Sequence, residues 1–582
     1  MSQVEGGLDE PAELEPEQGS LALAAPEDDH DRAAWEKAAA AVLRKSGRLS
    51  DEDPDAAVWD KLTRTTLDGI PVPPLGTPDL LEDLATSGRP TRMGEWDVRT
   101  PVDLADPKAA NEAALVDLQN GATSLWLQTA PDADLATVLD GVLLDLAPVV
   151  LDARPAGSES LALAEAFLAH AGGRELHPGT NLGVSGTAAD DALVAAAQLG
   201  RRAGVLAVVV DATEVHDRGA SDAQELAHSL AVGARVLRVL TGAGLSVDEA
   251  ARLVEFRYAA TDEQFPTIAK LRAARRLWAR VLELSDASPQ ETHGWAQRQH
   301  VVTSRPMMSK YDPWVNMLRT TVAAFAAGVG GADSVTVLPF DTPLGVPDAF
   351  GRRIARNTSS LLISESHLAR VADPAGGAYA VEKLTDDLAR AAWELFGRVE
   401  DGGSLDDAIA GTVARREAEV ARRKRPLTGL TEFPNLAETL PERQPAPGAD
   451  EVRRYGASFE ALRDEPVEAH VFLATLGPIA THTARATFAS NLLAAGGIAV
   501  DVAGPTADAD AVVAAYDGQA VVCLAGADAT YAEWGAEAAA RLREAGARHV
   551  IIAGKPTDYA DDSCAVGVDA LDFLTRTRSK LA

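Results

Sequence analysis

From about residue 110 to 385, short β-branched and apolar runs alternate with Ala-rich segments of helical spacing. The strand-length runs are Ser124–Thr129, Val149–Ala153, Leu182–Ser185, Val205–Ala212, Phe256–Ala260, His300–Thr303 and Ser334–Leu338, with an eighth placed near Leu368–Ala372. Between them, stretches such as Ile268–Leu284 repeat apolar residues every three to four positions, the period of a one-sided helix. Seven or eight such units in about 275 residues predict a closed (β/α)8 barrel rather than an open sheet. A second alternation begins at residue 466. His470–Thr475 is a strand-length run, Gly477-Pro478 breaks it, Thr483–Ala495 has helical spacing up to Gly496-Gly497, and Ile498–Val502 is β-branched again. Later runs are Ala520–Leu524 and Val550–Ala553. This predicts a parallel α/β domain with right-handed crossovers. Its ligand-facing loop, Gly477–Thr483, would lie at the carboxyl end of the first strand.

The remaining segments divide the chain into 1–109, 110–385, 386–465 and 466–582. Residues 1–30 are acidic and rich in Pro and Gly, a composition that stays disordered or orders only against a partner. Arg32–Lys45 reads as a helix. TTLDGIPVPPLGT at 65–77 carries Pro71, Pro73 and Pro74 and reads as an extended arm. The acidic segment and the arm both suit wrapping around a partner. Residues 386–425 are helical and charged, and 426–450 form a Pro-rich linker.

The chain has 582 residues, enough for two or three full cores, with 46% apolar residues. A net charge of −33 argues against nucleic acid as a partner. No apolar run reaches the length of a membrane span, and the N-terminus shows no basic-then-apolar leader. The two cysteines, Cys523 and Cys564, give no disulfide framework, so a reducing cytoplasm is expected. No Cys/His zinc spacing, His-Glu-x-x-His or phosphate-gripping Gly-x-x-x-x-Gly-Lys occurs. TGAGLS at 241–246 carries Gly-x-Gly but follows a helix-like run. KLRAAR at 270–275 is basic enough to touch a phosphate, as is any charged helix face.

Several stretches carry a family resemblance. RQHVVTS (298–304) resembles Arg-x-His-x-Gln-Thr-Ser, YDPWVNMLR (311–319) resembles Asp-Pro-x-x-Asn-x-x-Arg, and FDTPLGVP (340–347) resembles Phe-Asp-Glu-Ala-x-x-x-Pro. RIARNT (353–358), ADPAGGAY (372–379) and the 65–77 arm belong to the same set. In order and spacing they resemble the methylmalonyl-CoA mutase family over nearly the whole chain. The resemblance implies a barrel for acyl-CoA followed by a flavodoxin-like cobalamin-binding domain. It also implies a heterodimer, in actinobacterial forms, of a catalytic large subunit and a degenerate small one.

The departures from the family's pattern fall on ligand-facing positions. The family's cobalamin loop reads Lys-x-Gly-x-Asp-x-His-x-x-Gly. Anchored on Gly477, those positions are Thr475, Ile479, Thr481 and Ala484, so the cobalt ligand and the Asp that orients it are missing. A one-residue slip would put His482 at the ligand position, but with Ala480 for the Asp and Arg485 for the Gly. The family's active-site Tyr falls on Pro101, its substrate Gln on Val302, its ribose-contacting Glu on Thr342 and the neighbouring Ala on Pro343. Ser-x-Leu becomes Val522-Cys523-Leu524, and Gly-Gly becomes Ala553-Gly554. His216 lies near a substrate-contacting His of the family, and His300 keeps its family position. The resemblance therefore implies a small, structural subunit with no catalytic, cofactor-binding or metal site of its own. Adenosylcobalamin would be bound by the partner, and the barrel axis would be packed with side chains. An active mutase with unusual ligands and a stand-alone acyl-CoA-binding or regulatory protein remain the alternatives.

Overall fold

A computed structural model of the protein describes residues 30–82, 84, 86, 88–90, 92–153, 160–288, 297–446, 448–465 and 467–581. The acidic segment 1–30, expected to stay disordered or to order only against a partner, lies outside the described residues except for His30.

Residues up to 66 together with 71–76 form a small unit of their own. Arg32–Lys45 is helical, and Asp31 caps it by accepting from Ala34 N–H at 2.8 Å. Its inner face, Ala40 and Leu43, packs with Leu49 and Val58, and the rings of Trp35 and Trp59 meet at 4.7 Å. β1 (Arg64–Thr65) pairs antiparallel with β2 (Pro71–Val72), so the stretch expected to be an extended arm begins as a narrow hairpin.

The second unit comprises 67–70 and 77–582. Eight parallel strands close a barrel: β3 (Asp97–Val102), β4 (Ser124–Gln128), β5 (Val149–Asp152), β6 (Asn181–Ser185), β7 (Leu206–Asp211), β8 (Val254–Ala260), β9 (Gln299–Thr303) and β10 (Ser334–Thr336). Seven follow from β-branched runs that the closed sheet buries. The eighth is not where it was expected. Leu368–Arg370 is a 3-10 turn, and the barrel closes through β3, which pairs with β10 at Ser334↔Asp97 and lies ahead of residue 110. The charges of Asp97 and Arg99 and the ring of Pro101 mask β3 in the sequence, because its polar side chains point into the barrel. One glycine is required by packing: at Gly183 the backbone is left-handed (φ +69°), and a Cβ would lie 1.9 Å from the Leu151 carbonyl oxygen.

Helices Tyr379–Glu400 and Asp406–Ala421 fill the charged stretch after the barrel. The Pro-rich stretch beyond them carries little more than a Thr428–Glu432 bridge. Helix Ala457–Asp464 then docks the second domain on the barrel's carboxyl-side loops. Lys310 Nζ and Tyr311 Oη both reach Asp464, at 2.7 and 2.6 Å, and the Arg463 guanidinium covers the Tyr311 ring at 3.9 Å.

The second sheet holds β11 (Val471–Thr475), β12 (Val500–Val502), β13 (Val521–Ala525), β14 (His549–Ala553) and β15 (Asp562–Cys564), all parallel in the order β12-β11-β13-β14-β15. That is the flavodoxin-like order, with its switch point beside β11.

Candidate functional site

Two places can hold chemistry in such a fold: the loops at the carboxyl edge of the second sheet, and the axis and mouth of the barrel. In the second domain the helix after β11 begins at Ile479, with Pro478 as its N-cap, rather than at Thr483. Pro478 suits the entry to a helix, and no glycine follows to keep a loop open. The expected loop is therefore the helix's first turn. Thr475 is buried on β11, and its hydroxyl donates to the Gly504 carbonyl. Ile479 is exposed, the Thr481 hydroxyl donates to the Pro478 carbonyl at 2.7 Å, and Ala484 is exposed. His482 is a helix-start histidine but not a surface one: it is buried, with Nδ1 3.0 Å from the Gly477 carbonyl.

The crevice over this edge is occupied by the chain itself. Tyr531 opens a π-helical turn, Tyr531–Gly535, and its buried hydroxyl joins the carboxyl ends of β13 and β14. It accepts from Gly526 N–H at 2.9 Å and lies 3.0 and 2.9 Å from the carbonyls of Leu524 and Ala553. Burial pushes its phenol above the ordinary range. Arg485 reaches over it, with its guanidinium 5.0 Å from the ring centroid, Nη1 donating to the Gly526 carbonyl at 2.7 Å and Nη2 paired with Asp528. Arg485 was visible in the sequence as a bulky cation where bare backbone is needed. Nothing in the sequence singled out Tyr531.

The barrel axis is filled by charge. Arg257 on β8 bonds Asp211 on β7 at 2.6 Å and Asp152 on β5 at 3.1 Å. β5 and β8 are not neighbours, so the second bond crosses the interior. Trp126 on β4 lies under the guanidinium at 4.3 Å and donates to Asp152 at 3.2 Å. His300 on β9 receives Arg257 Nε–H on Nδ1 at 3.1 Å, and its Nε2 meets Thr336 at 2.8 Å. Burial, with Arg99 and Arg257 nearby, holds His300 well below the usual imidazole range, so it is neutral. A second layer ties Arg99 on β3 to Glu255 on β8 at 3.1 Å. Val302 is buried on β9, and the Pro101 carbonyl accepts from Arg352 at 3.2 Å. The Thr342 hydroxyl is turned onto the Pro339 carbonyl at 2.7 Å.

At the mouth, His216 Nε2 stands 2.7 Å from Ser304 Oγ, and its Nδ1 stands 3.4 Å from Glu225. This is the connectivity of a nucleophile, a base and an orienting acid. All three side chains are sealed from solvent, and Lys270 already holds Glu225 at 2.6 Å. Burial raises the Glu225 carboxyl, but Lys270 and His216 outweigh it and leave it below the usual range. The chain from the linker covers the mouth: Arg453 N–H donates to Asp217 and Tyr455 N–H to Pro306, at 2.8 and 2.9 Å. The basic stretch 270–275 offers no phosphate site. Lys270, Arg272 and Arg275 are buried and paired with Asp222 and Glu225, with Asp373 and Glu382, and with Gln299. Among the described residues no His, Cys, Asp and Glu cluster could hold a metal, and no helix is long and apolar enough to cross a membrane.

Residues 201–448 match the family model described as methylmalonyl-CoA mutase. Over nearly its whole length the chain is similar to the methylmalonyl-CoA mutase small subunit of Streptomyces virginiae, at 44% identity covering 97% of this chain and 98% of that one. The chain belongs to the methylmalonyl-CoA mutase family. It is also similar to the small subunit of Propionibacterium freudenreichii subsp. shermanii, at 34% identity over 93% of each chain. The mitochondrial methylmalonyl-CoA mutase of Bos taurus matches at the same 34% identity, but over 39% of this chain and 31% of its own. Within this adenosylcobalamin-dependent isomerase family, the full-length similarity is thus to small subunits.

Proposed function

We propose that this chain is the structural, non-catalytic subunit of a heterodimeric methylmalonyl-CoA mutase. The complex interconverts methylmalonyl-CoA and succinyl-CoA, and the large subunit binds the adenosylcobalamin that supplies the radical chemistry. The observation that carries this reading is Tyr531. Its ring and hydroxyl, with Arg485 above them, occupy the crevice where the family's fold would seat the cofactor, so the residues present do not fit that group. Thr475, Ile479, Thr481 and Ala484 offer no cobalt ligand, and the barrel axis is spent on the Arg257 network, so no catalytic or metal site is assigned to this chain. Its contribution is to bind the folded large subunit and stabilise it by mass action. The names of the full-length relatives support a partner subunit, and the two unpaired, buried thiols accord with a cytoplasmic complex.

The test is a spectroscopic cobalamin titration of the isolated chain and of the chain co-purified with a large subunit. The expected result is binding only in the complex, at one cofactor per heterodimer. Micromolar binding by the isolated chain would overturn the reading in favour of an active mutase with unusual ligands. Failure to join any large subunit while binding acyl-CoA would favour a stand-alone acyl-CoA protein.

A further inference from the structure

Helix Pro107–Gln119, which follows β3, ends on Asn120-Gly121, the one Asn-Gly pair in the chain. The helix ending calls for both residues. Gly121 lies in the left-handed region at φ +106°, where a side chain is strained, and a Cβ there would meet Ser360 Oγ at 3.3 Å. Asn120 turns its side-chain amide back along the helix and donates from Nδ2 to the Val116 carbonyl at 2.7 Å. Ala122 N–H donates to the Asp117 carbonyl at 3.0 Å, the outer bond of a glycine-terminated helix. The inner bond of that motif would run from Gly121 N–H to the Leu118 carbonyl, and it is not made. Asn120 N–H joins Asp117 instead, at 3.1 Å, and Gly121 N–H has no acceptor among the described residues. Asn120 and Gly121 are both exposed.

We propose that Asn120-Gly121 is a site of spontaneous covalent modification, where the folded chain converts to aspartate and isoaspartate without an enzyme. Gly121 N is a bare nucleophile: it has no hydrogen bond to break and no side chain to shield it. Solvent takes its proton, and the nitrogen attacks Asn120 Cγ. A cyclic imide closes as the Cγ–Nδ2 bond breaks, and Nδ2 leaves as ammonia with a proton from water. Water then opens the ring. Cleavage between Cγ and the ring nitrogen gives aspartate with the main chain intact. Cleavage between the Asn120 main-chain carbonyl carbon and that nitrogen gives isoaspartate, whose chain runs through the side chain. The bond to Val116 must open first, and it sits in the last turn of a helix, where fraying costs least. The other asparagines lack one condition or another. Asn111, Asn357 and Asn491 lie within helices, where the next N–H is already bonded, and Asn181 and Asn316 are buried. Asn435 is exposed, but the side chain of Leu436 shields the nitrogen that would attack. Either product puts a carboxylate at the carboxyl end of the helix, where the free carbonyls disfavour it, and removes the donor to Val116.

The experiment incubates the full chain in mildly alkaline buffer made with heavy-oxygen water, beside a parallel sample in urea. Peptides are then mapped by mass spectrometry, with fragmentation that separates isoaspartate from aspartate. Heavy oxygen in the product marks conversion during the incubation. In the folded chain, conversion at Asn120 should run at least about ten-fold faster than at Asn435, a barrier lower by about 1.4 kcal/mol. It should slow in mildly acidic buffer, where Gly121 N keeps its proton. The aged chain should unfold at a lower temperature than fresh chain. Asn120→Gln, whose longer side chain closes a ring far more slowly, should keep its own fresh midpoint through the same incubation. Equal rates at Asn120 and Asn435 in the folded chain would overturn the proposal. So would conversion of Asn120 in urea alone, which would mean that the Val116 bond holds the amide out of reach. An equal fall in midpoint for aged wild type and aged Asn120→Gln would overturn the link between this turn and stability.

Discussion

The Arg485 guanidinium lies 5.0 Å from the centre of the Tyr531 ring and donates to the Gly526 carbonyl, the residue whose N–H the Tyr531 hydroxyl receives. Together they tie the loops after β13 and β14 to the helix after β11. Tyr531→Ala should therefore cost stability, about 3–5 kcal/mol for a buried aromatic with its hydrogen bonds, read by thermal or denaturant unfolding. It should still confer no cobalamin binding at micromolar cofactor. Thr481→His should fail too, because Ile479 stands where the orienting carboxylate is needed. A cobalamin spectrum shifted by either variant would show that the crevice retains a usable cofactor site.

Arg257 makes a second prediction. It is the cation that compensates both Asp152 and Asp211 in the barrel axis. Arg257→Met should destabilise by about 3–5 kcal/mol, since it removes the cation bonded to two buried carboxylates. Combining it with Asp152→Asn and Asp211→Asn should recover most of that loss, because this layer then carries no charge. Differential scanning of the single and triple variants reads this directly. A triple variant no more stable than Arg257→Met would mean that shape, not charge, holds the layer.

The barrel was legible because seven of its strands carry apolar or β-branched runs of strand length, which a closed sheet buries. β3 was not, because it holds no such run. The strand reads Asp97, Arg99 and Pro101, and only the distant partners Glu255 and Ser124 make those residues core. The axis was expected to be packed, from Pro101, Val302 and Pro343. That charges fill it could not be read, because Asp152, Asp211 and Arg257 lie on three strands far apart in sequence and meet only once the barrel closes. Likewise the 270–275 stretch shows its three cations but not their buried acidic partners, which come from Asp222, Glu225, Asp373 and Glu382.

Turnover gives a further check. His216, His300 and His482 are buried on Ser304 and Glu225, on Arg257 and Thr336, and on the Gly477 carbonyl. None reaches solvent where a substrate proton could be exchanged. His216→Gln, His300→Gln and His482→Gln should each leave the kcat of the reconstituted heterodimer within about two-fold, whereas loss of a true general acid or base costs roughly 10²–10⁴-fold. Assembly checked by size exclusion separates misfolding from lost chemistry. A hundred-fold fall in a normally assembled complex would place an active site in this chain.

Asp68 sets a pH dependence. Its carboxylate caps the start of helix Asp222–Gly242, accepting from the Ser221 hydroxyl and from Ala223 N–H at 3.4 Å. Burial, with Asp222 as a like-charged neighbour, pushes its pKa up to about 6, while Ser221, Ala223 and the more distant Lys270 pull the other way. Because the folded value lies above the unfolded 3.8, the folded state binds a proton that the unfolded state does not. This group therefore favours folding most below pH about 4, and the benefit is lost as pH rises through about 6. Asp68→Asn keeps a carbonyl acceptor for the cap and removes the charge. It should raise stability at pH 8 by roughly 1–3 kcal/mol, with a much smaller effect at pH 4. Thermal midpoints of wild type and variant across pH 4–8 measure the difference. Parallel curves would mean that the carboxylate is ionised in the folded state throughout this range and that Lys270 outweighs Asp222 and burial.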